Sequence, residues 1–299
     1  MSTEKTYVCR YNETIPIVLE LLLSNYEIVS SKNIMDMKDE DKKIYFINNS
    51  NYEILCPKAS FPEKYLFGKF INYDEATNKK INFHEYYNKN ICSSTVPSIA
   101  IVGVGSNTQK FEIQCQLTKS FKENLYEVFN LTYNPEGILY GFDYYHFPKT
   151  IKFPDIVYSL NNTIQEHQEK DIHIFNIAGG LKYINKYNKN CYGALVSAYL
   201  QSTDIDIILF TVNTSTPITY IKEAIHFFNF YGITNVFIVI SDYTFDEGSY
   251  DSPYALGYYL VDKSKRKLFE KELKQQYDYV FTMDDISSGK VYNIILDLM

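Results

Sequence analysis

The sequence predicts an α/β fold with a doubly wound, mainly parallel sheet, and three observations support this prediction. Short apolar runs rich in β-branched residues recur along the chain, as expected for strands that are buried on both faces. Segments with helical spacing of apolar residues alternate with these runs, which is the pattern of parallel sheets covered by helices. Small and polar residues follow several runs at their carboxyl ends, where ligands bind in such sheets.

Residues 1–92 are predicted to form a small Rossmann-like α/β domain. Strands are predicted at 6–11, 26–30 and 43–48, with a very apolar helix at 14–24. Thr14 is a suitable N-cap for that helix, because its hydroxyl can accept a hydrogen bond from the first turn. The acidic segment 35–41 suits either a helical crossover or a loop, no element is assigned to 53–90, and 91–97 is predicted to be a linker.

Residues 98–299 are predicted to form a larger, P-loop-like α/β domain. Its predicted strands lie at 98–102, 126–131, 171–177, 205–212, 235–240 and 279–283. Its predicted helices lie at 109–123, 154–169, 194–200, 216–231 and 264–275. The alternating apolar residues at the start of the first helix also suit a strand, and the final segment 286–299 suits either a helix or a strand.

The loop after the first strand of this second domain is the main candidate for a functional site. An apolar strand, a glycine-containing loop with a lysine, and a helix form the pattern of a phosphate-binding loop. Backbone N–H groups and the helix N-terminus attract the anion, and the lysine contacts terminal phosphates. Small or polar residues that follow two other strands are added to this site. The predicted phosphate or nucleotide site consists of Gly103, Gly105, Ser106, Asn107, Thr108, Gln109, Lys110, Gly179, Gly180 and Asp242.

The loop departs from the strict pattern G-x-x-x-x-G-K-[ST] in ways that affect its chemistry. With Lys110 as the lysine, Val104 and Gln109 occupy the glycine positions, and a Cβ before the lysine hinders the approach of the backbone to phosphate. Phe111 replaces the hydroxyl that normally holds Mg²⁺. A nucleotide such as ATP or GTP is the candidate cofactor, and a role for Mg²⁺ is doubtful. Glu112 could hold this ion through water, and no metal site built from protein ligands alone is predicted. The alternative for the loop is a simple turn with a surface lysine.

A second candidate lies in the aromatic segment 140–148. Asp143 and His146 are close in sequence there, and a histidine beside a carboxylate can serve as a general base or a metal ligand. A cleft that contains both residues is one interpretation, and a packed or surface histidine is the other. No catalytic residue is assigned.

Composition excludes several classes of function. The net charge of −7 provides no basic surface for nucleic acid. No apolar run approaches the roughly 20 residues of a membrane-spanning helix, and the start of the chain lacks a signal-peptide core. The five cysteines are dispersed and show no C-x-x-C spacing, which indicates reduced thiols. These features predict a cytoplasmic protein without a membrane partner.

Three segments carry a resemblance to known proteins. The loop 103–114 resembles the corresponding loop of clostridial peptide-maturation-system proteins, in which the Thr-Gln-Lys-Phe tetrad is the expected form. Gly141-Phe142 with 146–148 resembles a Gly-Phe…Phe-Pro segment of the same group. The stretch 178–181 resembles both this group and the Glu-Gly-Ala-Gly-Gly-Leu segment of dethiobiotin-synthetase-like P-loop proteins. Asn176 stands where the latter proteins have the glutamate.

The resemblance implies a function in the maturation of ribosomally made peptide natural products such as bacteriocins. The protein would be an accessory factor that binds a nucleotide or another phosphorylated ligand, with a precursor peptide and a radical-SAM maturase as partners. One rival is an ATP-dependent ligase or kinase acting on a peptide or small molecule, with Lys110 stabilising the transferred phosphoryl group. The other rival is a non-enzymatic scaffold whose loop binds no nucleotide. Gln109 and Phe111 favour binding or scaffolding over catalysis.

Overall fold

The structure is a computed structural model, and it describes most of the chain from residue 90 onward together with three strands before it. The described residues are 6–10, 26–30, 43–47, 90–105, 107–134, 137, 140–145, 152–187, 189, 193–246, 248 and 257–299. The chain divides into two compact units, Met1–Ile81 with Pro135–Tyr144 and Asn82–Asn134 with Tyr145–Met299. The domain boundary placed at residues 92–98 from the sequence stays a prediction.

The first unit contains a three-stranded parallel sheet with the strand order β2-β1-β3. Its strands are β1 (Thr6–Arg10), β2 (Tyr26–Ser30) and β3 (Lys43–Ile47). Val8 in the central strand is aligned with Ile28 on one side and Tyr45 on the other. The three predicted strands are therefore confirmed to within one residue. The predicted helix at 14–24 and the segments 35–41 and 53–89 lie outside the described residues.

The larger sheet has seven strands in the order β12-β9-β8-β4-β7-β5-β6, and the first six strands in this order pair in parallel with their neighbours. Its strands are β4 (Ser98–Gly103), β5 (Val128–Thr132), β6 (Asp143–Tyr144), β7 (Ile172–Asn176), β8 (Ile207–Val212), β9 (Asn235–Ile240) and β12 (Val280–Thr282). The prediction of a mainly parallel α/β sheet is confirmed. Its central strand is β4, so the loop that follows β4 lies in the middle of the carboxyl edge.

Helices cover both faces of this sheet. The helices are α1 (Lys110–Glu123), α2 (Phe153–Gln165), α3 (Ala194–Ser202), α4 (Ile218–Phe230), α5 (Lys263–Lys274), α6 (Met283–Ser287) and α7 (Lys290–Leu298). None of the helices in the described part of the chain has the length and apolarity that crossing a bilayer requires.

Two hydrophobic clusters show why β4 is apolar throughout. Ala100 and Val102 belong to a cluster that also contains residues of α2, α3 and α4, whereas Ile99 and Ile101 belong to a cluster with residues of α1, α6 and α7. Successive side chains of a strand point to opposite faces, so both faces of β4 are covered by helices. The strand after which the candidate loop begins is therefore anchored in the core.

The structure corrects or completes the prediction in three segments. The predicted linker 91–97 is hydrogen-bonded to other parts of the second unit, because Asn161 in α2 bonds both the backbone N–H and the carbonyl of Cys92. The segment between β9 and α5, for which no element is predicted, contains two short antiparallel strands, β10 (Tyr243–Phe245) and β11 (Tyr258–Leu260). The end of the chain forms two helices, separated at Gly289, whose φ of 77° lies in the left-handed region.

Candidate functional site: the loop between β4 and α1

The loop begins at Gly103, the last residue of β4, which is closely surrounded by other atoms. A Cβ on Gly103 would lie 2.4 Å from Thr108 Oγ1 and 2.7 Å from Thr211 Oγ1, so the backbone reaches this position only without a side chain. Thr108 Oγ1 accepts a hydrogen bond from Thr211 Oγ1 (2.7 Å) and donates one to the carbonyl of Gly105 (3.3 Å). The loop is therefore folded back on itself and fixed to β8. Ser106 lies outside the described residues.

Lys110 is the first residue of α1, and its side chain is buried inside the loop. It is 2% exposed, and its ammonium donates to the carbonyls of Gly105 (3.2 Å) and Gly179 (2.6 Å). The Tyr133 ring centroid lies 5.5 Å from Nζ, within the range of a cation–π contact. Burial lowers the pKa of Lys110 from 10.5 to about 7. A surface lysine, the alternative considered from the sequence, is therefore wrong.

No carboxylate in the described part of the chain forms an ion pair with Lys110. Buried cations are otherwise almost always paired, because removing a charge from water is costly. A lysine ammonium has three hydrogens to donate, and the two carbonyls accept two of them. The neutral amine, with two hydrogens, satisfies both carbonyls. Among the described residues, no carboxylate or further hydrogen-bond acceptor is found for the third hydrogen of the charged form, and an anion could supply this partner.

Gln109, which stands where the strict loop has a glycine, links the loop to β9. Its backbone is left-handed (φ 59°), as a glycine there would allow. Its Oε1 accepts hydrogen bonds from the backbone N–H of Asp242 (2.6 Å) and from Ser241 Oγ (3.1 Å). Its Nε2 donates to Glu112 (2.5 Å), and burial raises the pKa of Glu112, which this hydrogen bond partly offsets. The glutamine therefore joins the start of α1 to the carboxyl end of β9.

The glycine pair after β7 supports the loop from the other side. The carbonyl of Gly179 receives the Lys110 hydrogen bond, and Gly179 has a φ of 72°. A Cβ on Gly180 would lie 2.5 Å from the carbonyl oxygen of Val104. Val104 cannot easily move away, because its N–H donates to the carbonyl of Thr211 in β8 (3.0 Å). The structure thus brings both glycines to the loop that contains Lys110.

The remaining predicted residues differ in how they meet the loop. Asp242 reaches it through its backbone N–H, whereas its carboxylate forms an ion pair with Arg266 in α5. Asn107 is exposed and has a left-handed backbone (φ 55°). Asp143 is exposed in β6, and His146 lies outside the described residues, so the cleft predicted from these two residues stays a prediction.

Three residues of this arrangement were not identified from the sequence, and a fourth, Ser241, is recognised there only as a polar residue at a strand end and not as part of the site. Tyr133 follows β5, Thr211 lies in β8, Ser241 follows β9 and Arg266 lies in α5. Tyr133, Thr211 and Ser241 lie at or near the carboxyl end of a strand. Arg266 forms an ion pair with Asp242, which follows β9. Only Ser241 had a detectable signal, its position directly after an apolar run.

Comparisons with known proteins bear on the fold. No protein-family model matches the sequence, and no curated protein matches it. A DUF1611 family protein from Anabaena variabilis has a similar structure, with a TM-score of 0.57 at 11% identity over 99% of this chain and 98% of that chain. The hydrogenase maturation factor HypB from Archaeoglobus fulgidus gives a TM-score of 0.34 at 11% identity, covering 68% of this chain and 87% of that chain. A plasmid partition protein from Borrelia burgdorferi bound to AMPPNP gives a TM-score of 0.34 at 12% identity, covering 62% of this chain and 86% of that chain. The first similarity indicates a shared fold, and the scores of the other two are too low to add to it.

Proposed function

We propose that the loop 103–110 binds a phosphate group of a nucleotide or of another phosphorylated ligand. The observation that supports this most is the buried ammonium of Lys110, which has no carboxylate partner among the described residues. A phosphate oxygen placed against Nζ would accept the third hydrogen and supply the missing negative charge. The ligand would thereby stabilise the charged form of a lysine that burial otherwise disfavours.

The helix that begins at Lys110 adds to this attraction. α1 has 14 residues, and no side chain of its N-cap residue, Gln109, bonds the N–H groups of the first turn. The N-terminus of such a helix has a partial positive charge and N–H groups that point toward an anion. Both Lys110 and the N-terminus of α1 therefore favour an anionic ligand in the loop between β4 and α1.

Replacing Lys110 with alanine should abolish stabilisation of the protein by phosphorylated ligands. The measurement is a thermal-shift screen with ATP, GTP, pyrophosphate and inorganic phosphate, because a ligand that binds only the native state raises the melting temperature. Lys119→Ala is the matched control, since Lys119 lies on the same helix with a side chain that is 43% exposed. Wild type and Lys119→Ala should respond alike. A ligand-induced shift that persists in Lys110→Ala would remove the phosphate role of this lysine.

We further propose that phosphate binding serves an accessory role in peptide maturation in the cytoplasm. This proposal has its support in the resemblance of the segments 103–114, 141–148 and 178–181 to peptide-maturation-system proteins. Two of those segments, 103–114 and 178–181, contribute Lys110 and its carbonyl partner Gly179 to the site described above. The resemblance therefore coincides with the part of the chain that the phosphate proposal uses.

The protein should bind the precursor peptide or the radical-SAM maturase of such a system directly. Fluorescence anisotropy with a labelled precursor peptide, and sedimentation with the maturase, measure this binding with and without the phosphorylated ligand found in the thermal-shift screen. A ligand-dependent change of affinity is expected, because the loop contacts β8 and β9 as well as the ligand. Absence of binding to both partners would leave phosphate binding intact and would remove the maturation role.

A further inference from the structure

The side chain of Asn176, near the proposed phosphate site, has a buried oxygen without a hydrogen-bond partner. It ends β7, is 0% exposed, and is aligned with Ile101 of β4 and Thr132 of β5. Its Nδ2 donates to Asn134 Oδ1 (3.2 Å) and Thr132 Oγ1 (3.4 Å), whereas its Oδ1 has no partner. A buried acceptor without a donor costs free energy, so this oxygen is suited to accept a hydrogen bond from a ligand.

The position of Asn176 places it on the same side of the sheet as Lys110. Because alternate residues of a strand lie on the same face, Asn176 shares its face of β7 with Ile172 and Ile174. These two isoleucines pack in the cluster that contains residues of α1. Three residues after Asn176, the carbonyl of Gly179 accepts the hydrogen bond from Lys110. Tyr133, whose ring faces the Lys110 ammonium, lies between the two residues that Asn176 Nδ2 contacts.

The described residues around the loop do not fit a magnesium ion. Mg²⁺ is usually bound by one or two carboxylates together with substrate phosphates. Here Asn176 is neutral and Phe111 has no hydroxyl, while Glu112 is bonded to Gln109. The Asp242 carboxylate is paired with Arg266. The positive charge that faces a phosphate therefore comes from Lys110 and the N-terminus of α1.

We infer that the loop and Asn176 form a site for a phosphate group that binds without Mg²⁺, with Asn176 Oδ1 accepting a hydrogen bond from a hydroxyl group of the ligand. This inference rests on the proposed function and specifies its ligand class. A carboxylate at position 176 would repel a metal-free phosphate and would attract a phosphate that brings Mg²⁺ with it. Because the amide of Asn176 has no negative charge, it favours binding of the phosphate without Mg²⁺.

The test compares the wild type with Asn176→Asp, which adds one charge at nearly constant size. Calorimetric titration with ATP and with pyrophosphate, in excess EDTA and in excess MgCl₂, gives the dissociation constants. The wild type should bind in EDTA, and Mg²⁺ should not tighten its binding. Asn176→Asp should lose about tenfold or more in EDTA, since like charges repel strongly in a buried site, and should recover affinity with Mg²⁺. Asn176→Leu lacks both the charge and the acceptor, so it should bind ATP, which has ribose hydroxyl groups, more weakly than the wild type does. Its binding of pyrophosphate, which has no such hydroxyl, should change less, and both should remain insensitive to Mg²⁺.

The outcomes separate this inference from the proposed function. Wild-type protein that requires Mg²⁺ for binding overturns the inference alone, as does an Asn176→Asp variant that binds like the wild type in both conditions. Wild-type protein that binds neither probe overturns the proposed function, and the inference with it. If Asn176→Asp does not fold, the affinities of the wild type in EDTA and in MgCl₂ still test the inference. Phe111→Ser, which restores the missing hydroxyl, then serves as the second variant and should make binding depend on Mg²⁺.

Discussion

Replacing Lys110 with methionine should remove a rise in stability with pH that the wild type shows between about pH 7 and 10.5. Burial lowers the pKa of Lys110 from 10.5 to about 7 in the folded protein. Between these values the unfolded chain holds a proton on Lys110 that the folded protein has lost. Stability rises with pH wherever the unfolded state binds more protons, so the wild type gains up to about 1.4 kcal/mol per pH unit in this range.

Methionine has nearly the length of lysine and carries no charge, so Lys110→Met isolates this titration. Urea unfolding at several pH values from neutral to about pH 10 gives the free energy of unfolding of both proteins. The difference between them should favour the variant most at neutral pH and shrink as the pH rises. The Gly105 and Gly179 carbonyls lose a donor in the variant, which reduces its advantage by a constant amount. Parallel pH profiles would show that Lys110 keeps an ordinary pKa in the folded protein.

The same titration determines how ligand binding depends on pH. A phosphate attracts the ammonium and not the neutral amine, so binding draws a proton onto Lys110 when the pH is above about 7. Affinity in the wild type should therefore fall as the pH rises from 7 to 9. If the proposed phosphate binding is correct, the ligand offsets the energetic cost that the buried lysine imposes on the free protein.

The elements of the larger sheet were predictable because they repeat a strong pattern. β9 was predicted with its observed bounds, and β4 and β8 within two residues, since each is a continuous apolar run. The strands β6, β10 and β11 were not predicted, because strands of two or three residues show no periodicity of their own. The strand β12 is equally short but was predicted, since it lies in the mainly apolar run 279–283. The helix α6 could have been recognised from the capping box formed by Thr282 and Asp285, which is a local sequence signal.

The sequence identified the segments of the chain that form the candidate site, but not the contacts within it. The loop, Lys110 and the glycines near 180 could be identified because strand, glycine and helix signals stand next to each other in sequence. The contacts that define the chemistry could not, because they join distant residues: Gln109 bonds Asp242 and Asp242 pairs with Arg266. The burial of Lys110 depends on the packing of the turn after β7 against the loop, which no local pattern indicates.

Replacing Gly180 with alanine should destabilise the protein strongly and should disrupt the loop that holds Lys110. The added Cβ would lie 2.5 and 2.7 Å from the carbonyl oxygen and carbon of Val104, and 2.9 Å from the carbonyl oxygen of Gly103. These are backbone atoms, and the Val104 N–H is hydrogen-bonded to β8, so they cannot rotate away as a side chain would. Overpacking of this kind costs roughly 1–3 kcal/mol and occasionally more, and the upper end is expected here because backbone atoms must move.

A glycine with open surroundings provides the control. Gly232 has a φ of 82°, and a Cβ added there would have no atom within 4 Å. Gly232→Ala should therefore cost about 1–2 kcal/mol from its backbone conformation alone and should leave phosphate binding intact. Urea unfolding measures both costs, and the ligand-induced thermal shift reports on the loop. Because the turn after β7 supplies the Gly179 carbonyl to Lys110, a displaced Gly180 should weaken ligand binding even in the folded fraction. If Gly180→Ala loses no more stability than Gly232→Ala and binds the ligand normally, the close packing of this turn against Val104 is not what positions Lys110.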